Sequence, residues 1–159
     1  MVLETEFTLD KIDYNILRLM QENARISNAD MARELNMAPS GVLERVKKLE
    51  QKKVILQYTT RLSPAALHQK LLAFVFMKAA DGLGCSTTGK ELAKIPEVQE
   101  IHHVAGEDCF LVKVRTEDSA SLMELMRKSL KSIPDVLSTK TTIVLETVKE
   151  QQQLVIPKK

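Results

Sequence analysis

Through the first sixty residues, apolar side chains recur at helical spacing. Ile12, Ile16, Leu19 and Met20 fall at i, i+4, i+7 and i+8, which is one face of a helix. Asp10 precedes this run as an N-cap, and Asp13 stands where a carboxylate favours a helix start. Leu9 and Tyr14 occupy the two staple positions around that cap. A second start follows at Ile26-Ser27-Asn28-Ala29-Asp30. Ser27 and Asp30 have the spacing of a capping box, Ile26 and Met31 that of its staple, and the helix runs to about Leu35. Asn36-Met37-Ala38 predicts a tight turn. Pro39 then opens a third helix, because its missing N–H would be unpaired there anyway. Val42, Val46 and Leu49 give that helix its buried face. The stretch Val54 to Thr60 is strand-like and predicts a wing or hinge.

Near Ser63-Pro64 the pattern changes to alternating strand-like and helix-like segments. Leu71 to Ala80 predicts a strand, Thr88 to Ile95 a helix, Val98 to Ala105 a strand, and Gly106-Glu107-Asp108 a turn. Cys109 to Arg115 predicts a strand with Phe110, Val112 and Val114 on one face and Lys113 and Arg115 on the other. Asp118 to Ser132 predicts a helix, and Val136 to Thr147 a β-branched strand. The order βαββαβ is the ferredoxin-like pattern, so the class is α+β: a winged helix-turn-helix domain followed by a ferredoxin-like one. The expected domains are 1–63 and 64–149, with 150–159 a polar, basic tail that extends or frays.

Charge and composition narrow the function. The 159 residues carry 23 Lys and Arg against 21 Asp and Glu, a net charge of +2. The longest apolar run, Leu71 to Met77, is far short of the roughly 20 residues that span a bilayer. Met1 to Asp10 holds Glu4, Glu6 and Asp10 and no basic residue, which does not suit a leader peptide. A cytoplasmic protein with no membrane association is the expectation. Cys85 and Cys109 are too few for a disulfide framework or a tetrahedral zinc site, so neither metal nor cofactor is expected. With no Trp and 4% aromatics, base-stacking platforms for single strands are disfavoured.

The histidines, His68, His102 and His103, form no catalytic arrangement. His102 and His103 are adjacent in a strand, so they point to opposite faces, one toward the core and one outward. The third helix is the stronger lead. From Ala38 to Lys53 five basic residues stand against Glu44 and Glu50, whereas residues 1–63 are nearly balanced. A helix-turn-helix sets the N-terminal end of its second helix against base edges in the major groove. Pro39, Ser40, Gly41, Glu44 and Arg45 lie at that end, with Arg45 placed to reach guanine or phosphate. Lys47 and Lys48 supply phosphate attraction, and Ser27 starts the preceding helix.

Leu9-Asp10-x-x-Asp13-x-x-Ile16-Leu17, Asn23-Ala24-Arg25-Ile26-Ser27, Pro39-Ser40-Gly41-Val42-x-x-Arg45-Val46-x-x-Leu49-Glu50 and Val54-Ile55 together resemble the Lrp/AsnC, or feast/famine, transcriptional regulators. The resemblance continues through Pro96-Glu97-Val98, Val104 to Val114 and Ile133-Pro134-Asp135-Val136 with Thr139, Thr141 and Val144. It implies a sequence-specific regulator of double-stranded DNA that responds to an amino acid. It also implies dimers formed through the sheets, which assemble into octamers or similar rings. The effector would lie near Gly106, Glu107 and Asp108, with His102, Val104 and the Ser138-Thr139-Thr141 edge as neighbours. The chain departs from the family pattern in four places. Ala38 replaces a usual Ser cap, Lys53 a usual Gly, His68-Gln69 a usual Gly, and Ala105 a common Thr. Two other classes remain: an architectural DNA-binding protein that senses nothing, and an enzyme like the sirohaem decarboxylases of similar fold, using His102 or His103.

Overall fold

The computed structural model describes residues 8–80, 86–106, 109–130 and 132–157. The chain forms two compact units, Met1–Arg61 with Glu150–Lys159, and Leu62–Lys149. No helix among the described residues is long and apolar enough to cross a membrane.

The first unit holds α1 (Lys11–Glu22), α2 (Asn28–Leu35) and α3 (Pro39–Gln51). Asp10 and Asp13 form the reciprocal capping box of α1: the Asp13 N–H donates to Asp10 Oδ1 at 2.8 Å, and the Asp10 N–H to Asp13 Oδ2 at 3.2 Å. Ser27 caps α2, accepting from the Asp30 N–H at 3.0 Å. Asn36 turns the chain out of α2 with φ +52°, and the Met37 N–H closes on the Ala32 carbonyl at 2.8 Å. Ile16, Met31, Ala32, Val42, Val46 and Leu49 form the core.

The end of α3 is a Schellman turn. The Val54 N–H reaches the Leu49 carbonyl at 2.9 Å and the Lys53 N–H the Glu50 carbonyl at 3.0 Å, with Lys53 at φ +58°. Lys53 therefore takes the left-handed conformation that glycine adopts at no steric cost. The strand expected over Val54 to Thr60 does not form. Val54 and Ile55 turn into the helical core, and residues 56–60 have no strand beside them among the described residues of this unit.

The tail is tied at Gln153 and Leu154. The Gln21 side-chain amide meets both backbone groups of Leu154, accepting its N–H at 2.8 Å and donating to its carbonyl at 3.0 Å. The Gln153 side chain donates to the Gln21 carbonyl at 2.8 Å. A glutamine amide has the same donor and acceptor as a peptide, so one side chain substitutes for a strand neighbour.

The second unit holds β1 (Leu71–Ala79), α4 (Ser86–Leu92), β2 (Val98–His103), β3 (Phe110–Thr116), α5 (Ser119–Leu125) and β4 (Val136–Ile143). The sheet order is β2-β3-β1-β4, antiparallel throughout, which is the ferredoxin-like arrangement. Ala73, Val75 and Met77 of β1 and Phe110, Val112 and Val114 of β3 bury one face under Leu92, Leu122, Leu125 and Leu130. The sequence predicts one helix through Ser132. Instead α5 widens into a π-helical segment over Met126–Leu130. Leu125 and Leu130 are both buried five residues apart, a spacing that an i+5 helix keeps on one face and an α-helix does not. The last strand stops at Ile143, because its partner β1 begins at Leu71 and the final rung is the Val144 N–H on the Leu72 carbonyl at 2.9 Å. His68, before β1, adopts φ +57° where the family pattern has glycine.

Candidate functional site

The outward stripe of α3 runs through Ser40, Leu43, Glu44 and Lys47, which follow i, i+3, i+4, i+7 and are all exposed. Val42, Val46 and Leu49 occupy the opposite face and are buried. Lys48 lies beside the stripe, and Lys52 and Lys53 follow the helix. Pro39 is its first residue and has no N–H, and Ala38 offers no side-chain cap; the Gly41 and Val42 N–H groups both close on the Ala38 carbonyl, at 3.0 and 3.2 Å, which leaves the Ser40 N–H as the donor at the helix start. Gly41 lies where an added Cβ would be 3.6 Å from Met37 Cε, an ordinary contact.

Two of the expected residues are otherwise engaged. The Ser27 hydroxyl donates to the Asp30 carboxylate at 2.6 Å while accepting from the Asp30 N–H, so both its roles are used within α2. Hydrogen bonding from that hydroxyl, with Arg33 nearby, holds Asp30 below the ordinary carboxylate range. Arg45 is held within the unit. The sequence directs it toward guanine or phosphate, but its Nη1 donates to Asp10 Oδ2 at 2.7 Å and to Asp13 Oδ1 at 2.8 Å. Arg45 sits one position round the helix from the outward stripe and faces the start of α1, where two carboxylates converge. It braces the fold. Leu43 is exposed on the stripe, and its place outside the Val42-Val46-Leu49 spacing already marks it as an apolar residue without a core position. On the far end of α3, Glu50 accepts from the Tyr58 hydroxyl at 2.8 Å, and burial with that carboxylate pushes the phenol up to about 12.

In the second unit, the residues expected at the effector site separate. His102, Val104 and Gly106 lie at the end of β2 and the turn beyond it, on one edge of the sheet. Glu107 and Asp108 lie outside the described residues. Ser138, Thr139 and Thr141 are on β4, at the opposite edge, with β3 and β1 between. At about 4.8 Å per strand that is roughly 14 Å, more than one amino acid spans. The family resemblance groups them with the turn, but within one chain the sheet order sets them apart. Thr141 instead donates to Met126 Sδ at 3.7 Å.

The adjacent histidines do take opposite faces, His103 beside Phe110 on the helix-covered face and His102 beside Leu111 on the other, but both are exposed because β2 is an edge strand. His103 tilts against Phe110 at 5.3 Å between ring centroids. His102 lies 3.4 Å from Glu100, which also accepts from Lys113 at 3.0 Å. Burial raises Glu100, but these hydrogen bonds outweigh it and hold the carboxyl below its ordinary value. Gly106 has φ +147° with open space where a Cβ would stand. Among the described residues, no group of three His, Cys, Asp or Glu side chains could hold a metal ion.

Residues 9–55 match the profile of the winged helix-turn-helix DNA-binding family, and residues 72–154 that of the Lrp/AsnC ligand binding domain. The leucine-responsive regulatory protein of Escherichia coli is 36% identical over 150 residues, covering 93% of this chain and 92% of its own. A transcriptional regulator from Neisseria meningitidis, solved with L-methionine, superposes with TM-score 0.87 at 28% identity, over 93% of this chain and 97% of that one. A feast or famine regulatory protein from M. tuberculosis, also solved with L-methionine, superposes with TM-score 0.86 at 29% identity, over 94% of this chain and 100% of that one.

Proposed function

This chain belongs to the Lrp/AsnC family of transcriptional regulators, and from that membership we infer that it binds duplex DNA through α3 and adjusts that binding to a small amino acid held by its second unit. The observation that carries the reading is the exposed stripe of α3, Ser40, Leu43, Glu44 and Lys47 with Lys48 beside it, set on a buried Val42-Val46-Leu49 face. Lys47 and Lys48 attract phosphate whatever the sequence. The Ser40 N–H can meet a phosphate oxygen, with Pro39 and Gly41 shaping that approach. Ser40 and Glu44 face base edges. Ser27 serves as the cap that orients α2.

For the effector, the turn at Gly106 with His102 and Val104 is the favoured place. Backbone N–H groups of such a turn suit a carboxylate, and the sequence puts carboxylates at Glu107 and Asp108 for an ammonium group. Leucine and methionine are the first ligands to try, since one relative is named for leucine and two solved relatives hold methionine. The ligand acts through its differential affinity for two states of the protein. The uncovered face of the sheet presents Phe74, Phe76 and Leu111, each only half-buried. A second copy covering it makes a two-fold dimer suited to palindromic half-sites, and dimers can associate further into an octamer or similar ring. The protein acts by binding and not by catalysis, in the cytoplasm where its DNA is accessible.

Fluorescence anisotropy tests this with DNA from upstream of the protein's own gene against a scrambled fragment, each with and without leucine or methionine at fixed salt. The expected result is preference for the upstream fragment, shifted by one amino acid. Equal binding to both with no shift would defeat the reading.

A further inference from the structure

We propose that Leu43 and Glu44 are the base-reading pair of α3, Leu43 against the 5-methyl group of a thymine and Glu44 accepting from the N4 amino group of a neighbouring cytosine. The proposal rests on the DNA-binding reading above and adds base identity to it. Of the large apolar residues on the three helices of the first unit, Leu43 alone is exposed, at 39%. Glu44 beside it is exposed and has no hydrogen-bond or ion-pair partner among the described residues.

Neither side chain suits a phosphate. A carboxylate is repelled by the DNA backbone, and a leucine gains nothing from it. Yet both stand in the middle of the outward stripe, between Ser40 and Lys47, on a helix whose other exposed charges are mostly cationic. Base edges are the part of the major groove that rewards them. Thymine offers a methyl group to an apolar side chain, and cytosine offers an amino donor to a carboxylate. Guanine presents only acceptors there, so Glu44 rejects it by repulsion as well as by lost contact. Successive residues on the helix address adjacent base pairs, so the pair predicts a C next to a T in each half-site. Lys47 and Lys48 then set affinity, while Leu43 and Glu44 set sequence.

The test selects binding sites from a random duplex pool with the full-length chain and with the Leu43→Ala and Glu44→Gln variants. The parent should enrich a half-site containing the C and T. Replacing that thymine with deoxyuridine should weaken parent binding roughly fourfold, the value of one methyl group leaving water. Leu43→Ala should bind both duplexes equally. Glu44→Gln should move the cytosine preference to adenine, which a glutamine amide can pair. If the variants enrich the parent's sites with only a uniform change in affinity, the proposal is overturned while the DNA-binding reading stands. It is also overturned if Leu43→Ala changes the size of the assembly on gel filtration, since the leucine would then lie between copies. Failure of the parent to enrich any sequence would defeat both.

Discussion

Arg45 on α3 places its guanidinium 2.8 Å from Asp13, a carboxylate at the start of α1 that is only 5% exposed. One contact therefore ties the helix that would read DNA to the helix that begins the unit. Removing the arginine leaves a buried negative charge with only its cap bond. Arg45→Met should destabilise the unit by about 2 kcal/mol, less than a fully buried pair would lose because Arg45 is itself partly exposed. Hydrogen exchange should quicken in α1 and α3 and not in the sheet. At a temperature where the variant is folded, DNA affinity should be nearly unchanged, and a sharp loss there would return Arg45 to the DNA interface.

Asp10 makes the same brace pH-sensitive. Its bond from the Asp13 N–H, aided by Arg45 and opposed by slight burial, lowers its folded value below the ordinary 3.8. A depressed carboxylate stabilises the fold above its unfolded value, and that contribution drains away as pH falls through the lower folded value. Asp10→Asn keeps a good cap but carries no titrating proton. Its stability should fall less steeply than the parent's as pH is taken below 3.8, measured by urea unfolding. An identical slope in both proteins would place the acid sensitivity elsewhere.

The helices of the first unit were legible because their signals are local. Asp10, Ser27 and Pro39 each mark a start within four residues, and the apolar spacing fixes the buried face. The structure adds most where a partner distant in sequence decides. Arg45 has the spacing of a DNA-facing residue, but two carboxylates more than thirty positions away claim it. Val54 to Thr60 has strand composition, but no strand among the described residues of its unit pairs with it. Gln21 gave no hint that it would hold Leu154, and Ser138 to Thr141 are near the Gly106 turn in the argument from family pattern but not across the sheet.

Lys53 identifies a place where the chain carries strain. It holds φ +58° at the position after the helix cap, with the Schellman bonds in place around it. A residue with a Cβ in that region costs roughly 1 kcal/mol relative to glycine. Lys53→Gly should therefore raise the stability of the unit by about that amount, since the two turn bonds are backbone and survive the change. It should also weaken DNA binding slightly and reduce its salt dependence if Lys53 contributes to phosphate attraction. Unchanged or lower stability would mean that the lysine side chain makes up for its backbone.

The tail gives a prediction that exchange can read directly. Gln21 meets both backbone groups of Leu154 at 2.8 and 3.0 Å. Gln21→Ala removes both bonds, each worth about 1 kcal/mol at most in so exposed a place. The Leu154 amide should exchange several-fold faster, with the core amides of Val46 and Leu49 unaffected. Equal protection in parent and variant would show that the tail is held by something other than this glutamine.

Gly106 offers the sharpest separation of the two units' roles. Its φ of +147° suits glycine, while a Cβ there would meet no neighbouring atom. Gly106→Ala therefore introduces backbone strain on the order of 1–3 kcal/mol without a clash, and the chain relieves it by changing the turn. A turn whose N–H groups have moved cannot present them to a carboxylate in the same way. Titration calorimetry with leucine and methionine should show affinity reduced at least tenfold, while DNA binding without an amino acid is kept, because the first unit folds around its own core. Titrations that match the parent would move the effector site away from this turn, and a joint loss of DNA binding would show instead that the turn is needed for assembly.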